Sequence, residues 1–199
     1  MKRSFDIITS LIGLIIFTPL LFLISIAILA FDGFPILFIQ ARLGKNKEEF
    51  NIVKFRTMKV GPSKSSANDE RRQTLLGKFL RKSSLDELPV LINVLKGDMS
   101  LVGPRPLLIK YSKRFNSFQN RRHEVLPGIT GLAQIKGRNQ ISWEEKFIYD
   151  VQYIDEHNFL LDIKILFKTM KYVLFFKGTS PKGQDIMPEF MGSKDNENN

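Results

Sequence analysis

Between Ile7 and Phe31 the chain carries no charged side chain and few polar ones. These 25 residues, as a straight helix about 37 Å long, would cross a hydrocarbon core of about 30 Å. Lys2 and Arg3 precede the run, as they would in a signal peptide. The run is too long for a signal h-region, however, and no small-residue cleavage site follows in Phe31-Asp32-Gly33-Phe34-Pro35, so the segment is read as retained. Length favours a simple span, and two features oppose it. Thr18-Pro19 stands in the middle of the run, where proline removes a backbone hydrogen bond and favours a kink. Basic residues also flank both ends: Lys2 and Arg3 before it, then Arg42, Lys45, Lys47, Lys54 and Arg56 after it. Positive flanks belong on the cytoplasmic side. The expectation is a membrane-inserted segment over 1–33, broken at Thr18 and Pro19, that enters and leaves the same face. A cytosolic domain over 34–199 follows it.

Thirty Lys+Arg against twenty Asp+Glu give a net charge of +10, which favours anionic partners such as acidic lipid or phosphorylated substrates. There is no cysteine, and His123 and His157 are the only histidines, so thiolate and multi-histidine metal sites are excluded. Ile36–Gln40 and Phe50–Phe55, joined across Arg42–Lys47, predict a β-hairpin. Val60–Asp69 reads as a flexible loop. Helices are predicted over Glu70–Arg81 (with Leu75, Leu76, Phe79 and Leu80 on one face), Leu88–Leu95 up to Gly97, Leu107–Arg122, Trp143–Ile154 and Leu160–Lys177. Pro127–Gly137 reads as a structured loop, and the polar tail after Gly178 as mobile. Lys164, Lys168 and Lys171 line one face of the last predicted helix. That pattern suits either a core helix with a solvated stripe or an interfacial helix on anionic lipid.

The chemistry concentrates in Ser84-Leu85-Asp86-Glu87-Leu88-Pro89 and Gly103-Pro104-Arg105-Pro106. Ser84-x-x-Glu87 fits a capping box. Pro89 fits better if Asp86 is the N-cap, and either register puts Asp86 at a helix N-terminus. A carboxylate there can attack phosphorus if a cation screens the repulsion between the anions. Mg²⁺, held by one or two carboxylates and substrate phosphates, is the usual cation. Arg105, between two prolines, has a backbone preset for bidentate phosphate contact, unless the turn is merely tight. Lys54, Arg56, Arg81 and Arg138 are further cations. Each alone is most simply a solvated charge, and together they argue for a polyanionic ligand. His123 has no partner pattern and reads as structural.

These residues are also familiar as a set. Gln40-x-Arg42-x-Gly44, Lys54-Phe55-Arg56-Thr57-Met58, the Asp86-Glu87 segment, Asn93-Val94-Leu95-Lys96-Gly97-Asp98-Met99-Ser100, Gly103-Pro104-Arg105-Pro106, Pro127-Gly128-Ile129-Thr130-Gly131 and Gly137-Arg138 occur in one order along nearly the whole chain. In this the chain resembles the small monotopic bacterial polyprenol-phosphate phosphoglycosyl transferases, or initiating sugar transferases. Leu132 and Val90 depart from the family pattern, where Trp and Gln are common. The resemblance implies a mostly α-helical fold with a small β-hairpin, docked by a re-entrant helix on the cytosolic face of the bacterial inner membrane. It implies transfer of a sugar 1-phosphate from a UDP-sugar to a polyprenol phosphate, releasing UMP, through a covalent phosphosugar–aspartyl intermediate with Mg²⁺. Asp86 is then the nucleophile and a metal ligand, and Glu87 its partner. Arg105, Arg138, Lys54, Arg56 and Arg81 are then substrate-binding cations, and downstream glycosyltransferases further partners. A membrane-anchored adaptor would explain the charge and the apolar run but not Asp86-Glu87 beside Gly-Pro-Arg-Pro. A nucleic-acid binder lacks any recognisable motif.

Overall fold

The computed structural model describes residues 1–61, 72–137, 141–174 and 189–193. The apolar run forms most of one continuous helix, α1 (Lys2–Phe31), with Pro19 inside it. The Thr18 hydroxyl donates to the Leu14 carbonyl at 2.7 Å. The helix inverts the usual pattern of a soluble protein. Asp6 and Ser10 are buried, while Ile8, Ile15, Ile16, Phe22 and Leu23 are each more than half exposed. An apolar face of this extent marks contact with lipid or with another chain.

Both ends of α1 rest on the same body. At the start, Lys2 Nζ donates to Asp162 Oδ2 at 2.6 Å and to the Val102 carbonyl at 3.1 Å. Arg3 donates to the Val94 and Leu95 carbonyls at 2.6 and 2.9 Å. These are late carbonyls of α3 (Leu91–Lys96), where a cation also complements the helix dipole. Asp6 accepts from the Ser100 hydroxyl and the Leu101 N–H. At the other end, Ile24 and Ile28 pack with Phe55 and Leu80, and Asp32 accepts from the Thr74 hydroxyl at 2.9 Å.

The predicted hairpin is present as β1 (Leu37–Leu43) and β2 (Glu49–Phe55), antiparallel, with Leu37 opposite Phe55 and Leu43 opposite Glu49. The buried Asn93 amide ties β2 to α3: it accepts from the Val53 N–H at 3.0 Å and donates to the Asn51 carbonyl at 2.7 Å. Helix α2 (Leu75–Lys82) starts at Leu75, capped by the Thr74 side chain; residues 70 and 71 of the predicted helix lie outside the described residues. Leu80 is buried, but Leu75 and Phe79 are exposed, so they do not share the expected core face. Of the predicted Val60–Asp69 loop, 62–69 lie outside the described residues.

Two expectations fail for a physical reason. The predicted helix Leu107–Arg122 is three short pieces: 3₁₀ turns at Ile109–Tyr111 and Arg121–His123 and a single turn α4 (Ser117–Asn120). Leu107 and Leu108 pair with β1 instead, the Leu107 carbonyl accepting from the Leu43 N–H, and Asn116 starts α4 with a capping box of its own. Within Pro127–Gly137, the expected loop, lie a strand, β4 (Gly128–Thr130), and a helix, α5 (Leu132–Lys136). Strand β4 runs parallel to β3 (Ser100–Val102). The approach is so close that a Cβ on Gly128 would stand 2.1 Å from the Gly103 nitrogen, so glycine is required there.

Helices α6 (Trp143–Glu156) and α7 (Phe159–Leu174) follow; 175–177 of the predicted last helix lie outside the described residues. Ile52, Val90, Val94, Met99, Leu101, Val102, Leu132, Ile135, Tyr153 and Ile165 form the main core. Leu132 and Val90, the two departures from the family pattern, are therefore core residues. On α7 the lysines 164, 168 and 171 are exposed, and so are Leu160, Ile163, Phe167 and Met170, a surface both basic and apolar. The tail is not uniformly loose. Phe190 is buried against Tyr111, Phe115 and Phe147, which corrects the expectation of a mobile segment for 189–193.

Candidate active site

The acidic pair lies on a 3₁₀ segment, Leu85–Val90, and neither predicted α-helical start is realised. Ser84 adopts a left-handed conformation (φ 59°), and its side chain makes no capping bond. Such a conformation is uncommon for serine and costs on the order of 1 kcal/mol. It turns the chain out of α2 and into the tighter helix, which accommodates Pro89. Glu87 consequently does not reach back to cap; it faces cations. Lys54 Nζ and Arg105 Nη2 both donate to Glu87 Oε1, at 2.5 and 2.7 Å. Strand β2 delivers Lys54, and the turn after β3 delivers Arg105.

Asp86 differs from its neighbour in every respect. It is 9% exposed, and among the described residues no side chain or N–H donates to its carboxylate. Burial, and then the adjacent Glu87 charge, push its pKa up to about 6, against the pull of Lys54, Arg81 and Arg105. Burial acts on Glu87 in the same direction, but the Arg105 and Lys54 charges and hydrogen bonds overcome it and hold this carboxyl well below the usual range. Two adjacent carboxylates are thus driven apart, as in paired acid sites where environment assigns different roles. Lys54 is pushed down by burial, partly offset by Glu87, and the Glu87 charge raises Arg105.

An open pocket adjoins the pair, lined by Arg42, Ile52, Lys54, Glu87, Arg105 and Ile129. Asp86 itself lies beside the pocket, not in its wall. Arg42 was not among the predicted site cations. Its guanidinium donates to Gln40 Oε1 at 2.6 Å, and its buried Nε has no partner among the described residues. Its place in Gln40-x-Arg42-x-Gly44 was the available signal, for alternation puts Gln40 and Arg42 on one face of β1.

The other predicted cations divide. Arg81 donates from Nε to the Thr57 hydroxyl at 2.9 Å and lies close enough to act on Asp86. Arg56 is not at the pocket. It is 6% exposed, and its guanidinium donates to the carbonyls of Asp32, Gly33 and Phe34. Strand β2 ends at Phe55, so the alternation that would put Arg56 on the same face as Lys54 does not extend to it. Arg138 lies outside the described residues. His123 is buried, its Nδ1 near the Asn120 carbonyl, and burial with the Arg122 charge lowers its pKa to about 4, which matches a structural role.

A family model described as bacterial sugar transferase matches residues 1–176. The chain belongs to that family. The resemblance carried by the motifs is therefore borne out. A sugar transferase, EpsL, of Bacillus subtilis is 48% identical over 98% of both chains. The undecaprenyl-phosphate galactose phosphotransferase of Salmonella typhimurium is 38% identical over 87% of this chain. The UDP-glucose:undecaprenyl-phosphate glucose-1-phosphate transferase of Klebsiella pneumoniae is 40% identical over 89% of it. The chain spans only about 40% of the length of each of these last two.

Proposed function

We propose that this sugar transferase moves a sugar 1-phosphate from a UDP-sugar to a polyprenol phosphate, with Asp86 as the covalent nucleophile. The observation that carries the reading is the contrast inside the acidic pair. Glu87 is fixed by two cations, while the adjacent carboxylate is buried, without a hydrogen-bond donor among the described residues, and within the field of Lys54, Arg81 and Arg105. A carboxylate oxygen of Asp86 attacks the sugar-bearing phosphorus. The bond from that phosphorus to the bridging oxygen breaks, and UMP leaves. An oxygen of the polyprenol phosphate then attacks the same phosphorus and displaces the Asp86 carboxylate. Phosphoryl transfer of this kind needs positioning and charge stabilisation more than proton traffic. Glu87, so strongly acidified, is a poor base; it orients Lys54 and Arg105, whose remaining donors serve the substrate phosphates.

Among the described residues no three His, Cys, Asp or Glu side chains converge as a metal cage. The donor set still fits Mg²⁺, which is commonly held by one or two carboxylates with substrate phosphates and water. Asp86 is the ligand available, since Glu87 is engaged. Mg²⁺ there would neutralise charge between the carboxylate and the diphosphate. Contact of both ends of α1 with one body, and the basic, apolar face of α7, support a monotopic seat on the cytosolic face of the bacterial inner membrane. Helix α1 would dip into one leaflet there, and anionic lipid would meet the lysines. The product would pass to downstream glycosyltransferases.

Incubation with a UDP-sugar alone should add the mass of a sugar phosphate to the wild-type chain and release UMP. Asp86→Asn should abolish both, and chelation should suppress UMP release until Mg²⁺ is returned. Wild-type turnover in Asp86→Asn would falsify the nucleophile.

A further inference from the structure

Phe190 lies at the far end of the sequence from Arg105 and far from any motif named above, yet a chain of contacts joins the two. Its ring is 2% exposed. It stacks on Phe115 with centroids 5.8 Å apart and meets Phe147 edge-on at 5.0 Å. Those two rings face the Arg122 guanidinium, at 5.9 and 5.6 Å. Arg122 is buried, paired with Asp150 at 2.8 Å, and the same Nη2 donates to the main-chain carbonyl of Arg105 at 2.7 Å. Arg105 in turn holds Glu87. The docked segment is also clamped from outside. Arg114 Nη1 donates to the Phe190 carbonyl, and Arg114 and Lys110 pair with Glu189 at 2.9 and 2.8 Å.

We infer that Phe190 is a positioning residue: seated in the aromatic cluster, it braces the Arg122–Asp150 pair and so fixes the turn that presents Arg105 to the site. Prolines restrict the backbone at Arg105 from either side, and main-chain bonds hold the flanks of the turn, the Pro104 carbonyl accepting from the Gly128 N–H and the Leu107 carbonyl from the Leu43 N–H; the Arg105 carbonyl between them is held by Arg122. A guanidinium packed between rings and one carboxylate has few alternative placements. Removing the ring that closes the cluster frees Arg122 to shift, and the carbonyl it holds shifts with it. Activity depends steeply on such placements, because a displacement far from the chemistry can still misalign a phosphate ligand.

The inference rests on the transferase reading for its kinetic arm, while the seating of Phe190 has a readout of its own. Trp143 is the sole tryptophan, and its ring centroid is 5.4 Å from that of Phe190, so its emission reports whether the pocket is filled. In the full-length protein Phe190→Ala should shift Trp143 emission to the red and lower kcat for UMP release about tenfold. Both substitutions at Phe190 and damage elsewhere reduce heat stability, so the decision falls to a double-mutant cycle. In an Arg105→Ala background Phe190→Ala should cost no further activity. Arg114→Gln removes the clamp and leaves the core intact. It should reproduce the emission shift and the kcat loss in weaker form if Phe190→Ala fails to fold. Unchanged emission, unchanged kcat, or an equal further loss in the Arg105→Ala background would each overturn the proposal. A wild-type protein that releases no UMP strikes at the transferase reading instead, and the emission of Phe190→Ala then decides the seating.

Discussion

Asp86 and Glu87 are neighbours in sequence with opposite electrostatic fates, and pH separates them. Folding raises the Asp86 pKa to about 6, chiefly through burial, so the native state binds this proton more tightly than the unfolded chain does. Its ionisation therefore costs stability, a cost absent near pH 4 and complete above about pH 6. Glu87 has the opposite sign: its lowered pKa contributes stability above its ordinary value of 4.5, and that contribution is lost as pH falls. Two outcomes follow. On the proposal that Asp86 is the nucleophile, activity should rise with pH through about 6 and level off as this carboxyl loses its proton. Asp86→Asn, while inactive, should be more stable than wild type at pH 8 by on the order of 2 kcal/mol and not at pH 4, measured by thermal melts at both values. Equal stability at pH 8 would show that Asp86 carries no buried charge. At this scale the sequence was a good guide to residue type and a poor one to partner. Asp86, Glu87, Lys54 and Arg105 were all legible as charges in a motif. That Arg56 braces three carbonyls, or that Arg42 lines the pocket, depends on where β2 ends and which way β1 faces.

At the scale of elements, legibility followed the length of the hydrophobic period. Helices α6 and α7 and the hairpin were readable because each repeats its pattern over several turns or pairs; α1 was readable as an apolar run, but the break expected at Thr18-Pro19 does not interrupt its helix. Strands β3 and β4 are three residues each, too short to alternate; main-chain bonds from the Ser100 and Gly103 N–H groups to the Pro127 and Thr130 carbonyls hold them together, and glycine at 103 and 128 leaves room for that approach. The 3₁₀ segment Leu85–Val90 was hidden by Ser84-x-x-Glu87, a pattern that mimics a capping box while the left-handed Ser84 sends the chain elsewhere. Pro19 belongs to this scale too. A proline inside a helix leaves the carbonyl four residues back without its partner, which favours bending under load in a membrane. Pro19→Ala restores the missing N–H, and should move the population toward a spanning form and lower UMP release. Unaltered topology and activity in Pro19→Ala would remove the proline from the argument.

For the whole molecule the testable property is sidedness. The chain has no cysteine, so Lys2→Cys offers a single labelling position. In intact cells it should resist an impermeant thiol reagent and react after lysis. Reaction in intact cells would place the N-terminus outside and make α1 a span. In α1, Asp6 and Ser10 face inward while Ile8, Ile15 and Ile16 face outward, which ties the apolar helix into the body. That tie also sets an order in time. Lys2 bonds a residue 160 positions later, and Asp6 one 94 positions later. Contacts of such separation form late, after loop closure over most of the chain. The apolar helix must therefore wait, unpartnered, until Asp162 has been made. Lipid is the one solvent in which it can wait without aggregating. Insertion should therefore come before assembly: a nascent chain not yet extended to Asp162 is expected on the membrane with its acidic pair still open to protease, and protection of such a truncated chain would contradict this order.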